Sequence, residues 1–354
     1  NSNGMIITQP YVYSHSDLDA SNYLYPGIAV LAENQAALEA GSGVEYNTIA
    51  AAIAASTDNG TQTVFLGEGS YSDAIALIEA VSLQGKGANS STGTVLTNTV
   101  TASDYSALHT ISNLYFDVQN SNGIVISSNA NLTITNNTFN IDANEKGINI
   151  PNTQIQSTLT ISSNTFSGTT TGTGVYISTT NGTGASNGTL NITGNTFNNT
   201  IGDAIVFEDA VNSSNTLSGA AINIYDGNNF NQSGYGIKIL ESSTNPSFIG
   251  ATLPATIDLF NTSINTNLSA TDIYGAAWYS LTAGSNNDLL YPSIQQAETA
   301  DLDSTLNIGE GTYAEDVTFS GGTYLNTITG YGVTCELATA NKLTLEKNYT
   351  FTNF

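Results

Sequence analysis

The side chains in this sequence able to do chemistry are mostly carboxylates, and few of them are spaced to work together. General acid–base catalysis needs two such groups converging in one cleft. Glu208-Asp209, with Asp226 shortly after, is the nearest approach to a cluster. Asp117, Asp142, Glu145, Asp203, Glu241 and Asp258 are scattered. Asp17-Leu-Asp19 and Asp301-Leu-Asp303 have the oxygen-rich spacing that can open a Ca²⁺ site, yet no glycine and distal Glu follow at EF-hand distance. No cofactor is expected, and the Ca²⁺ signal is weak. His15 falls in a polar N-terminal segment and His109 in a strand, and each is expected to be exposed or hydrogen-bonded. Cys335 is the single cysteine, so an intrachain disulfide and a Cys-rich metal site are both excluded. Gly67-Glu-Gly69 and Gly309-Glu-Gly311 lack the Lys-Ser/Thr of a phosphate loop. Trp278 and the 18 tyrosines offer material for a sugar-binding groove, although packing across strands is the commoner use of strand tyrosines.

Asn-x-Ser/Thr acceptor sites stand at Asn59, Asn89, Asn131, Asn136, Asn181, Asn187, Asn191, Asn198, Asn212, Asn231, Asn261, Asn267 and Asn348. In a chain this rich in Asn, Ser and Thr, composition alone produces nearly as many. They are candidate glycosylation sites on that footing.

The charge balance narrows the partners. The 354 residues carry 29 acids against five bases, a net charge of −24, and every base is a lysine. Such a surface has little to neutralise phosphates with, so nucleic acid is not an expected partner. No apolar run approaches the ~20 residues that span a bilayer. Forty per cent hydrophobic residues are enough for a packed core. The sequence opens at Asn1, consistent with a processed form or a piece of something longer.

The elements that must hold these groups are short strands in a repeat. Leu132-Thr-Ile-Thr-Asn-Asn-Thr-Phe139 recurs as Leu159–Phe166, Leu190–Phe197 and, with one extra residue, Ile222–Phe230. Weaker copies run from Leu108 to Phe116 and from Ile257 to Ile264. The last position of each copy falls at 116, 139, 166, 197, 230 and 264, a period of 23 to 34 residues. A second motif, Gly-Ile/Val-x-Ile, keeps step at Gly123, Gly147, Gly174 and Gly236, with a stretched copy at 202–207. Alternation at period two puts one face of each strand in and the other out. The period suits one coil of a β-helix better than a propeller blade of roughly 40–50 residues. Stacked coils then line up Asn137, Asn164, Asn195 and Asn228 as a ladder at one turn. Asn suits that place because it tolerates the left-handed conformation and its amides can bond to one another. Phe139, Phe166, Phe197 and Phe230 stack beside it, inside the coil. The residues that lengthen the later periods are expected in loops on one flank, such as 179–188.

Upstream, Val44-Glu-Tyr-Asn-Thr-Ile49, an Ala-rich stretch to Ala55, Val64-Phe-Leu-Gly-Glu-Gly-Ser-Tyr71 and Val81-Ser-Leu-Gln-Gly-Lys-Gly87 resemble the N-terminal lead-in of the pectin-lyase-like superfamily of right-handed parallel β-helices. The resemblance covers roughly 44–270. It implies a short amphipathic helix capping the open end, then the first coil. The lead-in blocks recur at Tyr291–Ile294, Leu306–Tyr313 and Ile328–Gly332, displaced by 245, 242 and 245 residues. Even the leading strands match, Gly27–Leu31 with Gly275–Leu281.

The fold expected is therefore all-β, a right-handed parallel β-helix with a short capping helix and the start of a second β-helical module. The organisation expected is an extended segment with a leading strand at 1–43, the β-helix at 44–272 and a short second module at 273–354. The second module is read equally as part of a longer array or as a complete end that stacks on the next subunit. Lyases, hydrolases and esterases of the superfamily use Arg or Lys with clustered acids, and no arginine exists here. The function expected is a secreted structural or adhesive cell-surface protein, including a self-assembling filament or sheath subunit, and not an enzyme. Its partners would be further copies or surface glycans, without direct membrane insertion. The alternatives are a carbohydrate-binding or carbohydrate-active β-helix and a viral fibre.

Overall fold

The computed structural model describes residues 29–32, 44–56, 62–77, 81–103, 105–127, 130–151, 157–178, 188–208, 221–225, 227–240, 257–258, 267–279, 289–291, 293–301, 303–313, 315–320, 323–332, 335–337, 342–345 and 349–354. Its strands form a parallel β-helix. Seven successive coils, spanning 62–77, 81–102, 105–126, 130–151, 158–178, 189–208 and 221–240, each contribute one strand to each of three sheets, here A, B and C in chain order. An eighth coil contributes Ile257–Asp258 to sheet A and Ile273–Tyr274 to sheet C. Strands within a sheet are parallel except at its ends, and parallel connections of this kind are right-handed in nearly all proteins.

Each turn of the chain is short because each strand needs only enough residues to put two or three apolar side chains inward. Thr189–Thr193 shows the rule, with Leu190 and Ile192 buried and the intervening residues half-buried. The inward residues stack by type. Leu132, Leu159, Leu190 and Ile222 form one column, and Ile134, Ile161, Ile192 and Ile224 the next. Burying one such side chain contributes roughly 1.5–3 kcal/mol.

The register moves one copy. Leu132 stands opposite His109, not Leu108, because the register runs unbroken at 23 residues back from the Phe116–Phe139 pair; the bulge of this pairing lies upstream, between Tyr105 and His109. His109 therefore occupies the leucine column and is 1 % exposed, while Leu108 is 53 % exposed. The copy at 202–207 is likewise not stretched. Ile205 pairs with Val175, which leaves Ala204 in the column of Gly174.

The lengthening of the period falls at one corner, as expected. Sheet C strands end at 126, 151, 178, 208 and 240, and the following sheet A strands start at 130, 158, 189, 221 and 257.

Helix α1 (Ile49–Ala55) starts on Thr48, whose Oγ1 accepts the Ala51 N–H at 3.1 Å, and buries Ile49, Ala52 and Ile53 over the first coil. Helix α2 (Ile294–Ala300) repeats this at the second lead-in, with Ser293 as its cap and Ile294 and Ala297 buried. The first and second lead-ins agree in detail. Ala29 stands antiparallel between Tyr46 and Leu66, and Ala277 between Tyr291 and Ile308. Gly69 and Gly311 both need positive φ, 135° and 152°. The Tyr71 hydroxyl donates to the Gly67 carbonyl at 3.2 Å, and that of Tyr313 to Gly309 at 3.0 Å. Beyond α2, the second stack runs through Thr305–Ile308, Thr327–Gly330 and Thr350–Thr352 in its leading sheet.

Candidate functional site

The asparagine ladder is built as a chain of paired bonds that all run one way, each rung donating to the next. Asn164 Oδ1 accepts from the backbone N–H of Asn137 at 3.0 Å and from its Nδ2 at 3.1 Å. Asn195 serves Asn164 in the same way, and Asn228 serves Asn195. Each Nδ2 also donates across the turn to a sheet A carbonyl, such as Ile134 for Asn164 at 2.9 Å. All four residues are buried. The left-handed conformation belongs to the residue before each one: Asn136, Ser163, Gly194 and Gly227, with Asn113 ahead of Leu114 in the coil above. The ladder is therefore a side-chain device, and the expected left-handed asparagine is displaced by one position.

The phenylalanine stack runs from Phe116 through Phe139, Phe166 and Phe197 to Phe230, with ring centroids 4.7 to 5.3 Å apart. It explains the glycines of the second motif. A Cβ on Gly123, Gly147 or Gly174 would lie 2.8 to 2.9 Å from the Phe ring of the following coil. These glycines make room for the rings, a role beyond the punctuation of turns.

The joint between the two stacks is the most specialised part of the molecule. Leu289–Leu290 lies antiparallel on Ile257–Asp258 and closes sheet A. Trp278, Leu290, Ala276 and Ile273 fill the end of the first core, while Ala277, Tyr279 and Tyr291 belong to the second. Tyr274 bridges to Glu310, and the Gly275 N–H donates to the Glu310 carbonyl at 2.7 Å. Burial pushes the Tyr235 hydroxyl up to about 12, helped by its hydrogen bond to the Glu310 carboxylate. Trp278 is 2 % exposed, which removes it as a sugar-stacking residue.

The start of the second stack is held by buried acids. Glu315 accepts from Ser293 Oγ and the Ile294 N–H, both at 2.6 Å, and from the Gln295 N–H at 3.1 Å. Burial raises its pKa, against the lowering effect of those bonds. Glu298 accepts from the Ser320 N–H and Oγ at 2.8 and 2.9 Å. At the far end Leu343, Leu345, Phe351 and Phe354 are exposed, and all but Leu345 line an apolar cavity of about 410 Å³ reaching in to Val317 and Ile328.

A second feature lies on the outer face of sheet C. Lys146 Nζ sits 5.2 Å from the centroid of the Tyr176 ring, and the Tyr176 hydroxyl donates to Glu208. Burial is the main cause of the raised Tyr176 pKa. Lys238 pairs with Asp203 at 2.9 Å and lies 5.4 and 5.9 Å from the rings of Tyr235 and Tyr274. Asp203 also lines an open pocket of about 340 Å³, together with Thr173, Ser233 and the glycines Gly172, Gly202 and Gly234.

The remaining candidates are dispersed. Asp209, Asp226, Glu241, His15, Asp17 and Asp19 lie outside the described residues. Asp301 accepts backbone N–H groups of Thr323, Tyr324 and Leu325, and Asp303 that of Ser304, so both hold turns. Among the described residues no three His, Cys, Asp or Glu converge as a metal site, and no helix is long and apolar enough to cross a membrane. Of the acceptor asparagines, Asn89, Asn136, Asn231 and Asn267 are exposed and Asn131, Asn191 and Asn198 half-buried. Asn59, Asn181, Asn187, Asn212, Asn261 and Asn348 lie outside the described residues.

Compared with known protein families, curated proteins and solved structures, the chain matches none.

Proposed function

We propose that this protein is a structural component of an extracellular surface, a β-helical rod of pectin-lyase-like type that assembles end to end. One observation carries the reading: the chain already seats one β-helix on the end of another, through a lead-in segment present in two copies. A protein whose folding solves this docking problem once internally has the surfaces to solve it between copies, and head-to-tail contacts of that kind extend into filaments. The composition supports it, since an acidic surface with five lysines and no arginine suits a soluble, exposed rod better than a polyanion-binding one. A non-catalytic role is supported by how the described acids are used. Asp203, Glu298, Glu315 and Asp301 are spent on contacts within the fold. Electron microscopy and sedimentation of the native material test the reading. Filaments or a concentration-dependent ladder of oligomers are expected, and monodisperse monomers at all concentrations would sink it.

A second reading has its own support. The tyrosine and lysine face of sheet C, with the open pocket beside Asp203, has the aromatic and polar mixture that sugar rings and hydroxyls use. It makes the rod an adhesive one, binding surface glycans along its side. Titration with a glycan panel, repeated on Tyr176→Ala and Lys238→Ala, tests it. Binding that survives both substitutions counts against this face.

A further inference from the structure

We propose that the outer face of sheet A is an ice-binding surface, an array of hydroxyls set at lattice repeats along the stack. This function is separate from the end-to-end reading above and does not depend on it.

Stacking turns the alternation of each sheet A strand into columns. The inward positions hold the leucine and isoleucine columns, and the positions between them point outward. Thr110, Thr133, Thr160 and Asn191 follow one another down one outward column. Ser112, Thr135, Ser162 and Thr193 follow down the next, and Thr158 and Thr189 belong to a third. Neighbours along a column are one coil apart, about 4.8 Å, and neighbours across columns are two residues apart, about 6.6 Å. The outcome is a net of hydroxyl groups with two fixed repeats.

The hydroxyls of this net are unspent. Thr158 is exposed, and Thr133, Thr160, Thr189 and Thr193 are half-buried. Among the described residues none of these five hydroxyls is engaged in a hydrogen bond, so each is left to solvent. Ser162 Oγ donates to Thr135 Oγ1 at 3.1 Å, a bond that runs along its column and keeps the period of the stack.

The net is also flat and stiff. The rings of Phe116, Phe139, Phe166 and Phe197 stay within 9° of parallel from coil to coil, so successive coils superpose with little rotation. The asparagine ladder ties the same coils together at the adjoining turn. Threonine, branched at Cβ, has few χ1 states to lose. Waters bonded to such hydroxyls sit at fixed repeats without a further cost in side-chain freedom. A flat periodic surface matches a periodic partner, a crystal face, better than a single ligand that needs a cleft.

Charge decides which crystal. The chain carries 29 acids and five lysines. Yet the outward positions of sheet A, from Ser82 and Gln84 in coil 2 to Asn223 and Tyr225 in coil 7, are uncharged. A mineral face calls for carboxylates, and these columns have none. A crystalline polysaccharide calls for open aromatic rings. Among the described residues of these columns the ring is Tyr225, at one end. Ice is neutral, and its faces repeat water oxygens at spacings of the same size as those of the net. Each threonine hydroxyl can donate to one lattice water and accept from another.

Asn191 makes the proposal stricter. It stands within the net, its Oδ1 accepts from the Asn223 amide at 2.8 Å, and it is also a candidate glycan acceptor. A glycan there would cover the array, so Asn191 is expected to be unmodified.

Thermal hysteresis and inhibition of ice recrystallisation, measured on the full natural chain, test the proposal. A freezing-point gap that grows with protein concentration is expected, with faceted ice crystals inside it. Thr160→Tyr plants a ring in the middle of the net and should abolish the activity while circular dichroism and the melting midpoint stay those of the natural chain. Thr133→Lys, one coil away in the same column, repeats the test with a charge and should give the same loss. Thr165→Tyr makes the matching change on the outer face of sheet B and should leave the activity intact. A natural chain that neither shows hysteresis nor slows recrystallisation would overturn the proposal. So would activity that survives both sheet A substitutions, activity that falls equally with Thr165→Tyr, or a glycan on Asn191 in mass spectra of native material. None of these outcomes bears on end-to-end assembly.

Discussion

Asn164 Oδ1 accepts two hydrogen bonds from one residue, Asn137, at 3.0 Å from its backbone nitrogen and 3.1 Å from its side-chain nitrogen. Each buried rung satisfies the polar groups of the coil before it. Replacing Asn164 by Leu, similar in volume, leaves the Asn137 N–H, the Asn137 amide and the Ile134 carbonyl without their partner in a dry site. At about 1–3 kcal/mol for each group stranded, the expected loss is about 3–5 kcal/mol. Chemical denaturation followed by circular dichroism measures it. Because rungs share bonds, Asn164→Leu with Asn195→Leu should cost less than the two singles added together.

Ser163 holds φ of +56° at the turn where the other coils place Asn136, Gly194 or Gly227. A serine there bears a left-handed conformation that asparagine tolerates better. Ser163 is exposed, so its replacement disturbs no packing. Ser163→Asn is expected to raise stability by about 0.5–1 kcal/mol. A fall in the denaturation midpoint would show that the hydroxyl, not the backbone, decides this turn.

What could be read from the sequence followed what each column repeats. Leucine, isoleucine, asparagine and phenylalanine recur at fixed places, so the coils, their ladders and the duplicated lead-in were legible. The left-handed position was not, because Asn113, Asn136, Ser163, Gly194 and Gly227 share a backbone angle and not a residue type. The copy at Leu108 misled because it is one residue longer than the regular copies: at the unbroken register of the Phe116–Phe139 pair, the leucine column takes His109, a residue of a different type. The Lys238, Asp203 and Tyr274 group was invisible for another reason. Its members lie far apart in sequence, and only the stacking register of loops of unequal length brings them together.

Glu315 gives the start of the second stack a pH dependence of definite sign. Its pKa is raised in the folded protein, chiefly by burial. Between the ordinary glutamate value and the raised one, the folded state holds more protons than the unfolded state. Stability contributed by this site therefore falls as pH rises through that window, and the cost of the buried charge is fully present above it. Glu315→Gln keeps an acceptor for the Ile294 N–H and removes the titration. The difference in stability between native protein and variant should slope with pH across that window and be flat beyond it. A flat difference throughout would mean that the carboxylate is as well solvated by its three donors as by water.

The glycine column offers a test with an internal control. A Cβ on Gly174 would sit 2.6 Å from the Ala204 carbonyl and 2.8 Å from the Phe197 ring, neither of which can yield without moving a coil. Gly174→Ala should therefore destabilise by about 1–3 kcal/mol through overpacking. In the next coil the same column already holds Ala204, and there the ring stack is looser: Phe197 and Phe230 are 5.3 Å apart and 18° from parallel, where Phe166 and Phe197 are 5.0 Å and 8°. The methyl and the tilted ring go together on this account. Ala204→Gly should cost little or nothing, whereas Gly174→Ala in the tight part of the stack should cost the full amount. Equal effects at the two positions would show that the glycines answer to backbone geometry and not to the rings beneath them.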